Sequence, residues 1–158
     1  MTKQEIRIRE VLLFKNGNVQ FAIPLKFIDR VIPAQEITPV VNTSFFIKGV
    51  IDLQGEIVPV LSLRCRFGIE EKEITSDEYL VILTFNDNRI ALIAESSCTI
   101  TSITDDEIKD IKTIFNGLSA VKLVNGELGI IYLYDTDTFF SKDDILGLDI
   151  IFGDKAGR

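Results

Sequence analysis

Residues 46–64 read Phe46-Ile47-Lys48-Gly49-Val50-Ile51-Asp52-Leu53-Gln54-Gly55-Glu56-Ile57-Val58-Pro59-Val60-Leu61-Ser62-Leu63-Arg64. Two runs rich in Val, Ile and Leu flank Gln54-Gly55, the pattern of two β-strands joined by a tight turn. The hairpin extends over Val50–Phe67, where Leu61, Leu63, Cys65 and Phe67 alternate with Ser62, Arg64 and Arg66 as in a strand with one buried face. Working outward, three more hairpins follow: Val11–Leu25 about Asn16-Gly17, Tyr79–Ala94 about Asn86-Asp87-Asn88, and Ala120–Tyr134 about Asn125-Gly126. Turn centres 17 and 55 return in order at 87 and 126, and Gly55-Glu56-Ile57 returns as Gly126-Glu127-Leu128. A duplicated pair of hairpins predicts an all-β chain made of two similar modules.

Asn-Gly at 16–17 and 125–126 suits a type I′ turn, which needs positive φ at both central residues. Val19, Phe21, Ile23 and Leu25 alternate with polar or small residues, so one face of that strand should be buried. Leu80–Phe85 and Leu128–Tyr134 are apolar on both faces and read as central strands. Pro24 and Pro59 lack the N–H a ladder needs, which places them at edges, bulges or strand ends. Thr104-Asp105-Asp106-Glu107 has the form of a capping box, with Ile108, Ile111 and Phe115 at helical spacing, and predicts a short helix over 105–111. A second helix is expected over 136–145. The acidic stretch 70–78 reads as an exposed connector between the copies. The chain is then one domain over 1–158, with a first barrel at 16–75, a second at 76–146 that strand 9–15 can join, and a tail at 147–158.

Apolar content of 46% in 158 residues supports a substantial core, since a chain of this size buries about 70% of its unfolded surface. A net charge of −7 argues against a phosphate-backbone ligand. A nucleic-acid-binding barrel is therefore the weaker reading, and Phe14, Phe21, Phe67 and Phe85 sit at core-facing positions with no basic stripe beside them. There is no His, and no nucleotide-binding or nucleophile-elbow motif. Asp105, Asp106, Asp110 and Asp135, Asp137, Asp143, Asp144 read as solvated helix charge rather than cation ligands. Cys65 and Cys98 lack metal-ligand spacing and read as small, partly apolar residues in a reduced protein. With no apolar run of membrane length and a charged start at Met1, a soluble cytoplasmic protein is expected, without enzymatic activity and without a cofactor.

The hairpin Val11-Leu12-Leu13-Phe14 with Phe21-Ala22-Ile23-Pro24-Leu25, and above all the block 46–64, resemble the CheW-like chemotaxis coupling proteins. The likeness runs over 10–146; in the second half it rests mainly on order and spacing. It implies two five-stranded SH3-like β-barrels packed side by side, with an apolar groove between them. It also implies partners: the regulatory domain of the chemotaxis histidine kinase, the cytoplasmic tip of a chemoreceptor, and other CheW-like proteins, with no nucleic acid and no insertion into the membrane. Recruitment to membrane receptor arrays follows from those partners. Ile28 and Val31 match positions that line the receptor groove, although Ile28 also suits a plain core role. Ile47, Lys48 and Gly49 match a partner-binding segment, while Lys48 alone is equally a solubilising charge. Gly49 and Gly55 fit backbone geometry, and Asn16, Gly17, Asn125 and Gly126 fit structural turns.

Several positions depart from the family pattern. Gln54 replaces a customary arginine and Arg30 a customary acid, two positions expected to be neighbours on adjoining strands. The change is read either as a rewired surface pair or as a receptor surface retuned to a different partner, including one in a non-flagellar pathway. Ser62 replaces an Asp, and Glu95-Ser96-Ser97-Cys98 stands where an Asp and a Val are usual, which weakens the groove's second wall at Ser97 and Cys98.

Overall fold

Alternating and continuous apolar runs produce eleven strands among the residues that the computed structural model describes, namely 8–41, 46–85, 87–110, 121–126 and 129–134. These are β1 (Ile8–Asn16), β2 (Val19–Pro24), β3 (Ile28–Pro33), β4 (Ile47–Leu53), β5 (Glu56–Leu61), β6 (Tyr79–Phe85), β7 (Asn88–Ala94), β8 (Ser96–Thr104), β9 (Ile108–Asp110), β10 (Val121–Gly126) and β11 (Gly129–Tyr134). One helical turn, α1 (Leu63–Arg66), follows β5. The fold is all-β, as the sequence predicts.

All four hairpins form as antiparallel pairs, β1 with β2, β4 with β5, β6 with β7 and β10 with β11. Their assembly differs from the order along the chain. One sheet runs β8-β1-β2-β11-β10-β9 and the other β3-β6-β7-β5-β4. Each sheet therefore joins the first hairpin of one copy to the second hairpin of the other. If β1, β2, β3, β4 and β5 are matched to β6, β7, β8, β10 and β11, either sheet order becomes the other, apart from the extra β9. One compact unit holds the described residues of 8–26 and 97–134, and the other those of 27–96. The expected boundary at 75/76 falls inside the second unit, because local pattern specifies which hairpins exist but not which distant hairpin each one joins.

Each unit has its own core. Val11, Leu13, Ala22, Ile103, Val124, Ile131 and Leu133 cluster in the first; Ile51, Val58, Val60, Leu80, Ile82, Ala91 and Ile93 cluster in the second. Central strands are buried on both faces. Leu80, Val81, Ile82 and Leu83 are consecutive and buried in β6, which lies between β3 and β7. β2 is likewise buried throughout Phe21–Pro24, on more than the single face its alternation predicts. In β11, between β2 and β10, Ile131, Leu133 and Tyr134 are buried while Ile130 is exposed. Phe21 lies 5.8 Å from Phe14 and 6.0 Å from Tyr132 between ring centroids, on the face opposite Ala22.

Four local expectations are corrected. First, the described part of the helix expected at 105–111 is not helical: Asp105–Glu107 make a single 3₁₀ turn, and Ile108–Asp110 then pair with β10. The Thr104–Glu107 contacts do form, with the Thr104 N–H and hydroxyl donating to Glu107 Oε1 at 3.1 and 2.7 Å. Strand pairing and the packing of Ile108 on the first core override helical propensity after that turn. Second, the strand pattern through 61–67 breaks at Ser62, whose Oγ accepts from the Cys65 N–H at 3.2 Å and caps α1. Third, the first turn is centred on Gly17-Asn18, since Asn16 pairs with Val19. Gly17 alone has positive φ, 61°, which is the type II′ requirement, whereas Gln54 at 53° and Gly55 at 89° meet the type I′ one. Fourth, Asn125 and Gly126 are the last residues of β10, paired with Ile130 and Gly129, so they are not the turn centre expected of them. The helix expected at 136–145 lies outside the described residues.

Pro59 sits within β5 opposite Val50. Val50 directs both backbone groups to Thr38, at 2.8 Å each, so this pair has no bond from β5 to lose. Pairing of β5 with β7 begins only at Val60. The same Thr38 bridge makes Gly49 a close-approach position: a Cβ there would collide with the Thr38 carbonyl and lie 2.8 Å from Ile37 Cγ2. Gly49→Ala is accordingly expected to destabilise the protein by about 1–3 kcal/mol through overpacking, while Gln54→Ala stays nearer neutral, as urea denaturation of the two variants will show.

Candidate functional site

The edge strand β3 carries three of the positions singled out from the sequence. Ile28 pairs with Leu83, Arg30 with Ile82 and Val31 with Val81, with a bulge between Ile28 and Arg30. Ile28 and Arg30 are half-buried. Val31 is 39% exposed and Tyr79, which pairs with exposed Pro33, is 42% exposed. Val31, Pro33 and Tyr79 lie on one face by register and form a small apolar strip at the sheet edge.

Arg30 does not meet Gln54. Its Nε donates to Asp29 Oδ2 at 2.7 Å, and the same carboxylate oxygen lies 3.6 Å from Arg89 Nε on β7. Arg89 Nη1 in turn donates to Glu56 at the start of β5. A chain of alternating charge, Arg30–Asp29–Arg89–Glu56, thus links residues of three strands, β3, β7 and β5, and its four charges cancel. The expected neighbouring of positions 30 and 54 is a correction, because β3 and β4 stand at opposite ends of the sheet order. Gln54 lies in an exposed turn, two residues before Glu56 and thus near the far end of that chain. These side chains are 27–43% exposed, so each pair contributes only about 0.2–1 kcal/mol. Their effect is mainly on the charge pattern of the surface.

A second cluster surrounds Glu71. Lys48 Nζ lies 2.8 Å from its Oε2, while Ser62 Oγ and Cys65 Sγ each donate to its Oε1 at 2.5 Å. Burial pushes this carboxyl upward, but the hydrogen bonds from Cys65, Lys48 and Ser62 outweigh it and hold the pKa at about 2, below the ordinary 4.5. Burial, followed by the bond to Glu71, raises the Cys65 thiol. Lys48 is thus neither a free solubilising charge nor a free partner contact. Ile47, opposite Leu61, and Gly49 are buried.

The acidic stretch expected as a connector is tied down at several points. Arg64 Nη1 donates to the Glu70 carbonyl at 2.5 Å, Lys72 pairs with Glu78, and the buried Glu78 also accepts from the Thr75 N–H at 3.3 Å. Arg64 further grips Glu95 with two donors, Nε to Oε2 and Nη2 to Oε1, the latter at 2.8 Å. The hydrogen bond to Glu95 raises the Arg64 pKa. Sequence reasoning missed Arg64, Glu71 and Arg89. The one legible signal was Ser62 before Leu63, with Arg64 and Arg66 suited to the end of a helical turn.

Glu95 belongs to the unit of 27–96, whereas Ser97 and Cys98, the second and third residues of β8, belong to the other. Cys98 is half-buried, and burial raises its thiol pKa; both cysteines are free. Among the described residues no group of His, Cys, Asp and Glu is disposed to hold a metal ion, and no helix is long and apolar enough to cross a membrane. The described surfaces are therefore built of ion pairs, an apolar edge and tethered loops, the materials of a protein-binding module.

The chain belongs to the CheW-like domain family, whose model matches residues 10–143. It is similar to the chemotaxis protein CheW of Klebsiella aerogenes, 25% identical over 144 residues, covering 89% of this chain and 87% of that one. It is also similar to CheW of Bacillus subtilis, 27% identical over 106 residues, covering 66% and 68% of the two chains. Its fold matches the crystal structure of the scaffolding protein TtCheW from Thermoanaerobacter tengcongensis with a TM-score of 0.76 at 19% identity, covering 91% of this chain and 95% of that one.

Two outcomes follow for stability. Glu71 has a depressed folded pKa, so its contribution is present above pH 4.5 and is lost as pH falls toward 2. Glu71→Gln is expected to cost about 1 kcal/mol at pH 7, discounted for exposure, with wild type and variant converging as urea curves are repeated at lower pH. For the nearly buried Arg64–Glu95 pair, Glu95→Ala is expected to cost about 3 kcal/mol, read as a lowered urea midpoint.

Proposed function

We propose that this chain is a non-catalytic chemotaxis adaptor that couples chemoreceptors to the chemotaxis histidine kinase. The match to the CheW-like family over 10–143, together with the shared fold, carries this reading. The relatives named above are chemotaxis proteins, and the matched crystal structure is of a scaffolding protein. On this reading the protein works in the cytoplasm, held at the membrane by the receptor tip. Each contact is modest, and tethering several of them in one array gives the assembly its strength.

Ile28, Arg30 and Val31 form the receptor-facing set, joined by Gln54, Glu95, Ser97 and Cys98. The support for the first three is an apolar edge beside a balanced charge chain. The segment Ile47-Lys48-Gly49 faces the kinase or another CheW-like partner, with Lys48 held in place by Glu71 and the buried Ile47 and Gly49 setting the path of β4. Because Asp29 and Arg89 stand between Arg30 and Glu56, altering either end of the chain redistributes charge across it.

Isothermal titration of the full chain against the regulatory domain of the chemotaxis kinase and against a receptor-tip fragment tests the proposal. Micromolar binding to both is expected, and no heat with either would overturn it. Val31→Asp should weaken receptor binding while sparing the kinase. Arg30→Glu combined with Gln54→Arg should change which receptor tips are captured; an unchanged set would assign those residues a purely structural role.

A further inference from the structure

In the unit of 27–96, the segment after β3 and the tethered loop before β6 enclose an open groove of about 910 Å³. Its apolar lining comes from Ala34, Ile37, Pro39 and Ile74, with Glu36 and Glu73 among the lining residues. The walls are anchored. The Ala34 N–H donates to the Glu78 carbonyl at 2.9 Å, Thr38 is bridged to Val50, and Ile37 and Ile74 pack against the second core. A groove braced in this way is preformed, which limits the ordering cost of binding.

Its charge is one-sided. Lys48 also lines the groove, but its ammonium is paired with Glu71, and the nearby Lys72 is paired with Glu78. The side-chain carboxylates of Glu36 and Glu73 have no cation within ion-pair distance among the described residues, and both residues are exposed. The groove thus presents two uncompensated negative charges over an aliphatic floor, and the neighbouring Asp77 adds to that field. The volume suits a few side chains of a peptide. The signs favour a basic occupant, since like charges at an interface are repelled and opposite ones steer encounter.

We infer that this groove seats a short peptide segment of a partner protein that carries lysine or arginine beside aliphatic residues. Its aliphatic side chains cover Ile37, Pro39 and Ile74, and its cations meet Glu36 and Glu73. Of the residues assigned above to receptor and kinase contacts, only Lys48 lines the groove, and it is already paired with Glu71; the inference rests on Glu36 and Glu73, which belong to neither set, so it is tested independently of those contacts.

The test uses the ¹⁵N-labelled full chain titrated with the peptide acetyl-Lys-Leu-Lys-Pro-Leu-Lys-amide, and with its counterpart in which every Lys is Glu. Saturable amide shifts confined to residues 34–38 and 73–76 are expected with the basic peptide and none with the acidic one. Affinity should fall about tenfold in the double variant Glu36→Lys, Glu73→Lys, and severalfold on raising salt, as rim charges dictate. These exposed substitutions leave the fold intact, which the same spectra verify. Absence of saturable shifts, shifts centred elsewhere, equal binding of both peptides, or affinity unchanged in the double variant would each overturn the inference.

Discussion

Two short parallel seams hold the sheets together. In one, Phe21 and Ala22 of β2 lie beside Tyr132 and Leu133 of β11; in the other, Val60 and Leu61 of β5 lie beside Ala91 and Leu92 of β7. Each seam joins two hairpins that could not bury their apolar faces alone, since an isolated hairpin is marginal in water. The first seam closes a very long loop, and a bond from Gln20 to the Ile130 carbonyl beside it links residues 110 apart in sequence. Loop-closure entropy rises only slowly with length, so burial of Phe21, Ala22, Leu133 and Tyr134 is enough to hold so distant a junction. Everything else, from edge strands to tethered loops, is positioned by these seams.

Charge in this protein organises loops more than it stabilises the core. Glu71 gathers donors from β4, from the cap of α1 and from α1 itself, and so fixes the stretch that follows. Arg89 ties β3 to β5. Ser62 shows how one residue serves both levels: its oxygen caps α1 while its hydroxyl proton goes to Glu71. A serine where the family usually has an acid is thus compensated by a carboxylate brought in from the following loop. This arrangement keeps the net field negative but local, with compensated charge at the β3 edge and uncompensated charge at the groove beside Ile74.

An adaptor needs surfaces that remain distinct while their scaffold stays rigid. Here the rigidity comes from strands buried on both faces, such as β6. The surfaces are edges and loops that strand burial leaves over: the Val31–Pro33–Tyr79 strip and the groove flanked by Glu36 and Glu73. Arg30 and Gln54 lie outside both core clusters, so substitutions there leave either core undisturbed.

The hairpins, their order, their duplication and the all-β class were legible because period-two hydrophobicity and turn residues are local signals. Family-like residues from Phe46 to Arg64 were legible for the same reason. Turn centres at 16–17 and 125–126 were misplaced, since an Asn-Gly pair fits a tight turn in more than one register and only cross-strand partners decide. The helix over 105–111 was overruled by pairing with β10, and the strand through Cys65 by a serine cap. By itself, the sequence determined the four hairpins and their order along the chain. Only the tertiary structure decided that each hairpin joins the other copy's partner, and that Arg89 and Glu71 hold their neighbours in place. Those choices rest on contacts between residues far apart in the chain, whose energies no local pattern encodes.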